Sequence, residues 1–117
     1  MAADWPRPIV HVDIVAKDPE GQRRFYAEMF GWEIGEGPVM SFAAGFGGPE
    51  PGPAGHLIAG EVPAVRLYVQ VASLAESLER ARALGAEVLA EPFDLPGAPT
   101  LAVIRDPEGL ELLLVQQ

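Results

Sequence analysis

The chain has 117 residues, 49% of them hydrophobic, and its 17 acidic and 8 basic residues give a formal net charge of −9. This length suits one compact domain with a sizeable core. An acidic surface repels phosphate backbones and anionic lipid, so we expect no nucleic-acid and no membrane partner. The sequence has no cysteine, which excludes disulfides, thiolate metal sites and a cysteine nucleophile. We find no signal-peptide pattern and no apolar run of membrane length, so we expect a cytoplasmic protein.

The first predicted element is a strand, IVHVDIVAKD, at residues 9–18. Its side chains alternate in the manner of a half-buried strand. Alternation places successive side chains on opposite faces. One face carries Val12, Ile14 and Ala16, and the other carries His11, Asp13 and Val15.

A helix is predicted next, because Asp18 can cap it and Pro19 suits the first helical position. Gly31 fits the left-handed conformation that often ends a helix. Apolar residues recur along this helix at helical spacing, which predicts a stripe packed in the core. The predicted core residues are Phe25, Tyr26, Met29 and Phe30, with Trp32 just beyond them.

Shorter elements complete the first half of the chain. GWEIG (31–35) and residues 39–44 and 56–60 are predicted strands. The segment GFGGPEPGPAG (45–55) is too rich in Gly and Pro for regular structure, and we expect a mobile flap there. We expect the lead-in Trp5, Pro6 and Pro8 to cover a neighbouring subunit.

The second half repeats this order of elements. A strand at residues 65–71 precedes the capping-box pattern Ser73 to Glu76 and a helix ending near Gly85. Strands follow at GAEVL (85–89), 101–104 and 110–115, and the last two are joined by the turn sequence DPEG (106–109).

Residues 10–34 and 65–88 therefore match element by element, and a period of about 55 residues indicates a duplicated supersecondary unit. The sequence predicts an α+β fold in which a βαβββ unit occurs twice. We expect one domain over residues 1–117, with units at about 8–61 and 64–116.

The chain resembles the vicinal oxygen chelate superfamily, which includes glyoxalase I, bleomycin-resistance proteins, fosfomycin-resistance enzymes and extradiol dioxygenases. The resemblance rests on the His-led first strand, RFYAEMFGWEI, ALGAEV and DPEGLELLLV, in this order. Among the subgroups, it resembles the short bacterial glyoxalase-like proteins. It implies that two tandem βαβββ units form a cup-shaped mixed sheet with the ligand on its concave face. It also implies a homodimer.

The resemblance implies four metal-ligand positions, of which His11 matches the first. Arg66 stands at the second and has no lone pair to offer. Leu113 stands at the last, and Glu111 lies two residues earlier on the same face. The remaining position falls within HLIAGE (56–61). His56 or Glu61 at this position would supply a donor, and Ile58 or Ala59 would not; all four residues remain candidates for the position. We therefore expect no complete metal site and no cofactor; divalent Ni, Zn, Mn or Fe is the alternative.

Strand alternation extends this face to further residues. If His11 faces the cup, we expect a binding surface made by His11, Asp13, Arg66, Tyr68, Gln70 and Glu111, with Leu113 and Val115 as apolar walls. Arg66 can bind an anionic ligand, or it can form an internal ion pair with Asp13 or Glu111. Both interpretations remain open.

The sequence thus favours a protein that binds a small organic molecule, anionic if it pairs with Arg66, without a complete metal site. The alternative is a metal-dependent lyase, isomerase or dioxygenase with rearranged ligands from His11, His56, Glu61 or Glu111. A metal-free enzyme with His11 or Asp13 as general base is a further hypothesis, as is a structural or regulatory dimer.

Overall fold

A computed structural model describes residues 6–116. The fold is α+β, and the expected fold class is confirmed. Trp5, part of the predicted lead-in, lies outside the described residues. The strands are β1 (Ile9–Ala16), β2 (Met40–Phe42), β3 (Ala54–Ala59), β4 (Ala64–Val71), β5 (Glu87–Phe93), β6 (Leu101–Arg105) and β7 (Glu111–Gln116), and the helices are α1 (Pro19–Phe30) and α2 (Leu74–Ala83). Within residues 6–116, neither helix has the length and apolar character needed to cross a membrane.

The chain divides into two compact units, which we call the N-terminal unit (Val10–Arg66) and the C-terminal unit (residues 67–116 together with 6–9). In the N-terminal unit the strand order is β2-β3-β1, with β1 and β3 parallel and β2 antiparallel to β3. In the C-terminal unit the order is β5-β6-β7-β4, and β4 and β7 are parallel. The C-terminal unit has the connectivity βαβββ, and the N-terminal unit has the same order except that the first strand after α1 is reduced to an isolated bridge at Ile34.

Both helices begin where the capping residues predict. The Asp18 side chain accepts a hydrogen bond from the Gly21 N–H at 3.1 Å, and Ser73 Oγ accepts one from the Glu76 N–H at 3.2 Å. Gly31 ends α1 with φ +71°, a left-handed conformation that glycine adopts without a Cβ penalty. The local sequence signals therefore determine both helix starts.

Each unit has its own hydrophobic core. In the N-terminal unit Leu57 is fully buried, and Phe42 is nearly so. Gly55 lies against β1, where a Cβ would meet the Val12 carbonyl oxygen at 2.4 Å, so glycine permits the close strand pairing. In the C-terminal unit α2 packs its buried leucines on the sheet, as the alternation of β4 and β7 predicts. That cluster contains Val69, Val71, Leu74, Leu78, Leu112 and Leu114.

The prediction that the apolar stripe of α1 packs in the core is wrong for three of its four residues. Phe25, Met29 and Phe30 are each more than half exposed, and no residue in Pro19–Phe30 is fully buried. Helical periodicity identifies an apolar face but not what covers it. The partly buried Trp32 does pack against the core, with its ring centroid 5.9 Å from that of Phe42.

The Gly/Pro-rich segment is more structured than expected. Residues Ala44–Gly47 form a 3₁₀ turn, and β3 already begins at Ala54. Phe46 stacks on Phe42 with ring centroids 4.3 Å apart, and its carbonyl accepts the Glu33 N–H at 3.2 Å. The predicted strand GWEIG is reduced to a single bridge between Ile34 and Phe42. The expected flap is therefore attached to the core through Phe46.

Candidate functional site

Two paired strands of the N-terminal unit bring the candidate residues together. Asp13 on β1 lies in register with His56 on the parallel strand β3. Residues in register on paired strands share a face of the sheet, and His11 lies on the same face two residues before Asp13. Leu57, the next residue on β3, points into the core instead. Because the apolar side chains of these strands occupy the core face, His11, Asp13 and His56 lie together on the opposite face.

The three side chains are in direct polar contact. His11 Nε2 lies 2.9 Å from His56 Nδ1, which is a hydrogen bond between the two imidazoles. Asp13 Oδ1 lies 3.5 Å from His11 Nε2 and 3.9 Å from His56 Nδ1. One carboxylate oxygen therefore faces two imidazole nitrogens at once.

The second oxygen of this carboxylate belongs to an ion pair. Arg66 NH2 donates to Asp13 Oδ2 at 3.2 Å. The Asp13 side chain is 5% exposed and that of Arg66 is 32% exposed. A carboxylate this buried requires charged or hydrogen-bonding partners, and Asp13 has them on both oxygens. The internal ion pair of Arg66 with Asp13, one of the interpretations that the sequence left open, is present in the structure.

The environment favours a neutral His56 ring. Burial lowers the pKa of His56 below its ordinary value of 6.5, and the neighbouring His11 lowers it further, while Asp13 acts in the opposite direction. A neutral imidazole keeps a lone pair for a metal or a proton. His56 is therefore predominantly unprotonated at neutral pH, which is the state in which imidazole binds metal ions.

These donors fit a divalent metal ion. The three ligand atoms lie within 4.8 Å of one another, and they are two imidazole nitrogens and one carboxylate oxygen. Ligands bonded at about 2.0–2.2 Å with angles of 90–110° are separated by roughly 2.8–3.6 Å from one another. The observed separations of 2.9 and 3.5 Å fall within that range, and the third, 3.9 Å, is slightly longer. Arg66 contacts Asp13 Oδ2, the carboxylate oxygen that does not face the two imidazoles. Hydrogen-bonding partners in this position orient metal ligands.

The sequence identified His11, Asp13 and Arg66 as neighbours but left His56 among several candidates. Register with Asp13 selects His56 on β3, whereas Glu61 lies beyond the end of that strand, where it lines a surface cavity with Lys17.

The other predicted binding residues lie in the C-terminal unit. Tyr68 and Gln70 are half-buried on β4, in register with Leu113 and Val115 of β7. Glu111 is exposed at the start of β7, and its carboxylate lies 4.0 Å from Arg105. Their participation in the site stays a prediction.

Comparison with known proteins gives one family and several structural neighbours. The model of the glyoxalase-like domain matches residues 9–115. No curated protein sequence matches the chain significantly.

Solved structures with a similar fold cover nearly the whole chain. A hypothetical protein from Bacillus halodurans superposes with a TM-score of 0.70 at 11% identity, covering 97% of this chain and 96% of its own. Methylmalonyl-CoA epimerase from Mycobacterium tuberculosis gives 0.67 at 18% identity, with 99% and 92% covered. The Mn(II)-bound glyoxalase from Novosphingobium aromaticivorans gives 0.68 at 21% identity, with 95% and 40% covered. At these identities the likeness establishes the fold.

Proposed function

The chain belongs to the glyoxalase-like domain family, within the vicinal oxygen chelate superfamily, and we propose that it binds a divalent metal ion together with a small anionic organic molecule. The observation that supports this most directly is the cluster of His11, Asp13 and His56, whose ligand atoms lie within 4.8 Å of one another. This differs from the sequence-based expectation of an incomplete site, because Asp13 and His56 add two donors to His11.

Each residue of the cluster has a distinct part in this proposal. His11 and His56 supply nitrogen donors, and Asp13 supplies a carboxylate oxygen. Arg66 holds the other oxygen of Asp13 at 3.2 Å, which keeps the donor oxygen directed at the two rings. A divalent ion bound here would act as a Lewis acid that polarises a substrate oxygen.

The charge of the cluster indicates the class of ligand. Asp13 is the one carboxylate among the four residues, so a divalent ion and the Arg66 guanidinium leave positive charge in excess. A guanidinium carries five N–H groups, and one such side chain can bind Asp13 and a further anionic group together. We therefore propose a small carboxylate or a similar anion with a second oxygen able to reach the metal.

The donors and the structural neighbours together support a reaction class. Among the structural neighbours are an Mn(II)-bound glyoxalase and methylmalonyl-CoA epimerases, which supports an isomerase or lyase that moves a proton next to a carbonyl group. Two imidazoles and one carboxylate are also the ligands of non-haem iron(II) oxygenases. If the bound ion is iron(II), this donor set supports a dioxygenase reaction.

Metal-free binding of an anionic molecule is the second candidate function. It is supported by the hydrogen bond between His11 and His56 and by the ion pair of Asp13 and Arg66, which give each of these side chains a partner within the protein. In that case Arg66 supplies the main attraction for the anion, and no metal ion takes part in binding.

Native mass spectrometry of chelator-treated protein can separate the two candidates. We expect one Mn(II) or Zn(II) ion per chain in the wild type, and loss of that ion in His56→Asn and Asp13→Asn. Glu87→Gln is the matched control, because it removes an exposed carboxylate that pairs with Arg105 outside the cluster, and it should retain the ion. Metal-free wild type in excess Mn(II), Zn(II), Ni(II) and Fe(II) would contradict the metal proposal.

A further inference from the structure

Strand β2 places a further hydroxyl on the face that carries the candidate metal site. Ser41 lies in register with His56 on the antiparallel strand β3, and His56 is in register with Asp13. Met40 and Phe42, on either side of Ser41, are buried in the core, so the exposed Ser41 lies on the opposite face. Side chains in register on paired strands are about 4.5–5.5 Å apart at Cβ. Ser41, His56 and Asp13 therefore form one polar row across β2, β3 and β1.

An apolar row lies beside this polar row, about 7 Å further along the strands. Val15 on β1 is in register with Ile58 on β3, and both are half-buried. Their sequence neighbours Ile14, Ala16 and Leu57 belong to the hydrophobic core on the other side of the sheet. Val15 and Ile58 therefore share the face of the polar row and present apolar surface next to it.

The two directions along the strands differ in what they offer a bound molecule. Toward the amino ends of β1 and β3, His11 is in register with Ala54, whose side chain is a single methyl group. Toward the carboxyl ends, Val15 and Ile58 present two branched side chains. An apolar group next to the polar row therefore buries more surface in the carboxyl direction.

Charged residues limit the apolar row at its far end. A surface cavity of about 520 Å³ lies at the carboxyl ends of β1 and β3, and Lys17, Gly60 and Glu61 are among the residues that line it. A Cβ at Gly60 would lie 2.3 Å from Val15 Cγ1, so glycine lets the backbone pass close beside Val15. Lys17 and Glu61 carry opposite charges, so the cavity has no net charge that would attract a second anionic group.

We propose, on the basis of the anion site described under the proposed function, that the bound molecule is a monoanion with a short, uncharged aliphatic tail. Its anionic head lies over the polar row, where the Ser41 hydroxyl donates a hydrogen bond to it. Its tail lies over Val15 and Ile58 and ends at Lys17 and Glu61. A second anionic group at the end of the tail would lose hydration without gaining a net attraction. The ligand class is therefore a short-chain monocarboxylate or a similar monoanion.

The arrangement gives the head and the tail separate effects on affinity. Ser41 contacts the head, so its contribution is the same for every chain length. Val15 and Ile58 contact the tail, so their contribution grows with each methylene that covers them. Full burial of one methylene increases affinity about 4-fold, and a tail covered on one side gains about 2-fold. We therefore expect a gain of about 2- to 4-fold per methylene until the tail extends past Ile58.

Titrations followed by methyl NMR test this proposal on the full chain. The probes are acetate, butyrate, hexanoate and octanoate, each titrated in excess Zn(II) and again in the presence of chelator. We expect affinity to rise about 2- to 4-fold per methylene up to hexanoate and to level off at octanoate. The methyl signals of Val15 and Ile58 should shift more than other methyl signals. Adipate, which has the carbon chain of hexanoate and a second carboxylate, should bind about 5-fold or more weakly than hexanoate.

Matched variants separate the tail from the head. Ile58→Thr should remove most of the gain per methylene. Ile9→Thr is the control, because it makes the same change at a half-exposed isoleucine at the amino end of β1, and it should leave the gain unchanged. Ser41→Ala should weaken all four probes by the same factor. Circular dichroism verifies that each variant is folded, and the methyl shifts of the wild type locate the tail without any variant.

The outcomes distinguish this proposal from the metal proposal. A gain with chain length in both Zn(II) and chelator supports the tail contact, and equal affinities in the two conditions would contradict only the metal. Affinity that is independent of chain length, a gain that survives Ile58→Thr, or adipate binding as tightly as hexanoate would overturn the proposed ligand class. Unchanged affinities in Ser41→Ala would overturn the contact between Ser41 and the head.

Discussion

The ion pair between Asp13 and Arg66 should stabilise the fold measurably, although most surface ion pairs do not. The perturbation is a double-mutant cycle made of Asp13→Asn, Arg66→Gln and the two changes combined. Chelator-treated protein is used so that metal binding does not contribute. The cycle isolates the coupling between the two side chains from the other effects of each substitution.

The expected magnitude follows from distance and burial. Unit charges 3.2 Å apart attract by about 5 kcal/mol at an effective dielectric constant of 20 and by about 1 kcal/mol in water. Arg66 is a third exposed, which screens the pair, and burial of Asp13 carries a desolvation penalty. We therefore expect a coupling free energy of about 1–3 kcal/mol.

Urea unfolding gives the free energies, and an exposed ion pair of nearly equal length provides the control. Arg105 NH1 lies 3.1 Å from Glu87 Oε1, but these side chains are 40% and 64% exposed. Its coupling should be about 0.2–1 kcal/mol. If the Asp13–Arg66 coupling is no larger than that of Arg105–Glu87, our reasoning that burial strengthens this pair is wrong.

Three further predictions concern stability. The folded protein lowers the pKa of His56, so the unfolded chain binds more protons just below pH 6.5. The free energy of unfolding should therefore fall as pH decreases through that value, and it should fall less steeply in His56→Asn. Urea unfolding between pH 5 and 7.5 measures this dependence, and equal slopes in the wild type and the variant would contradict the lowered pKa of His56. Phe46→Leu should destabilise by about 1–3 kcal/mol through loss of ring contacts with Phe42 and Trp32, and an unchanged urea midpoint would mean that Phe46 does not anchor its segment. Ser73→Ala should cost about 1 kcal/mol by removing the cap of α2, and thermal unfolding of this variant at the wild-type temperature would refute that role.

The sequence predicted the repeated elements well because local signals specify them. Alternation along β1 placed His11 and Asp13 on one face, and the structure brings their side chains to 3.5 Å. The caps at Asp18 and Ser73 and the turn at residues 106–109 rest on short-range hydrogen bonds that the sequence shows directly. Strand pairing then follows from repetition of the same unit.

The sequence could not select His56 because its position depends on strand register across an irregular segment. Gly and Pro in residues 45–53 permit many backbone paths, so the number of residues between β2 and β3 does not fix which residue faces Asp13. Exposure of α1 was missed for a different reason. Its apolar periodicity is the same whether the face packs on the chain itself or on a partner.

The most direct test of the metal proposal is an anomalous-difference map from a crystal of this protein grown with Mn(II). We predict one strong peak about 2.0–2.3 Å from His11 Nε2, His56 Nδ1 and Asp13 Oδ1, with Arg66 still on the outer oxygen of Asp13. An ordered cluster without a peak among these three atoms, at saturating Mn(II), would contradict the proposal and leave anion binding through Arg66 as the function to pursue.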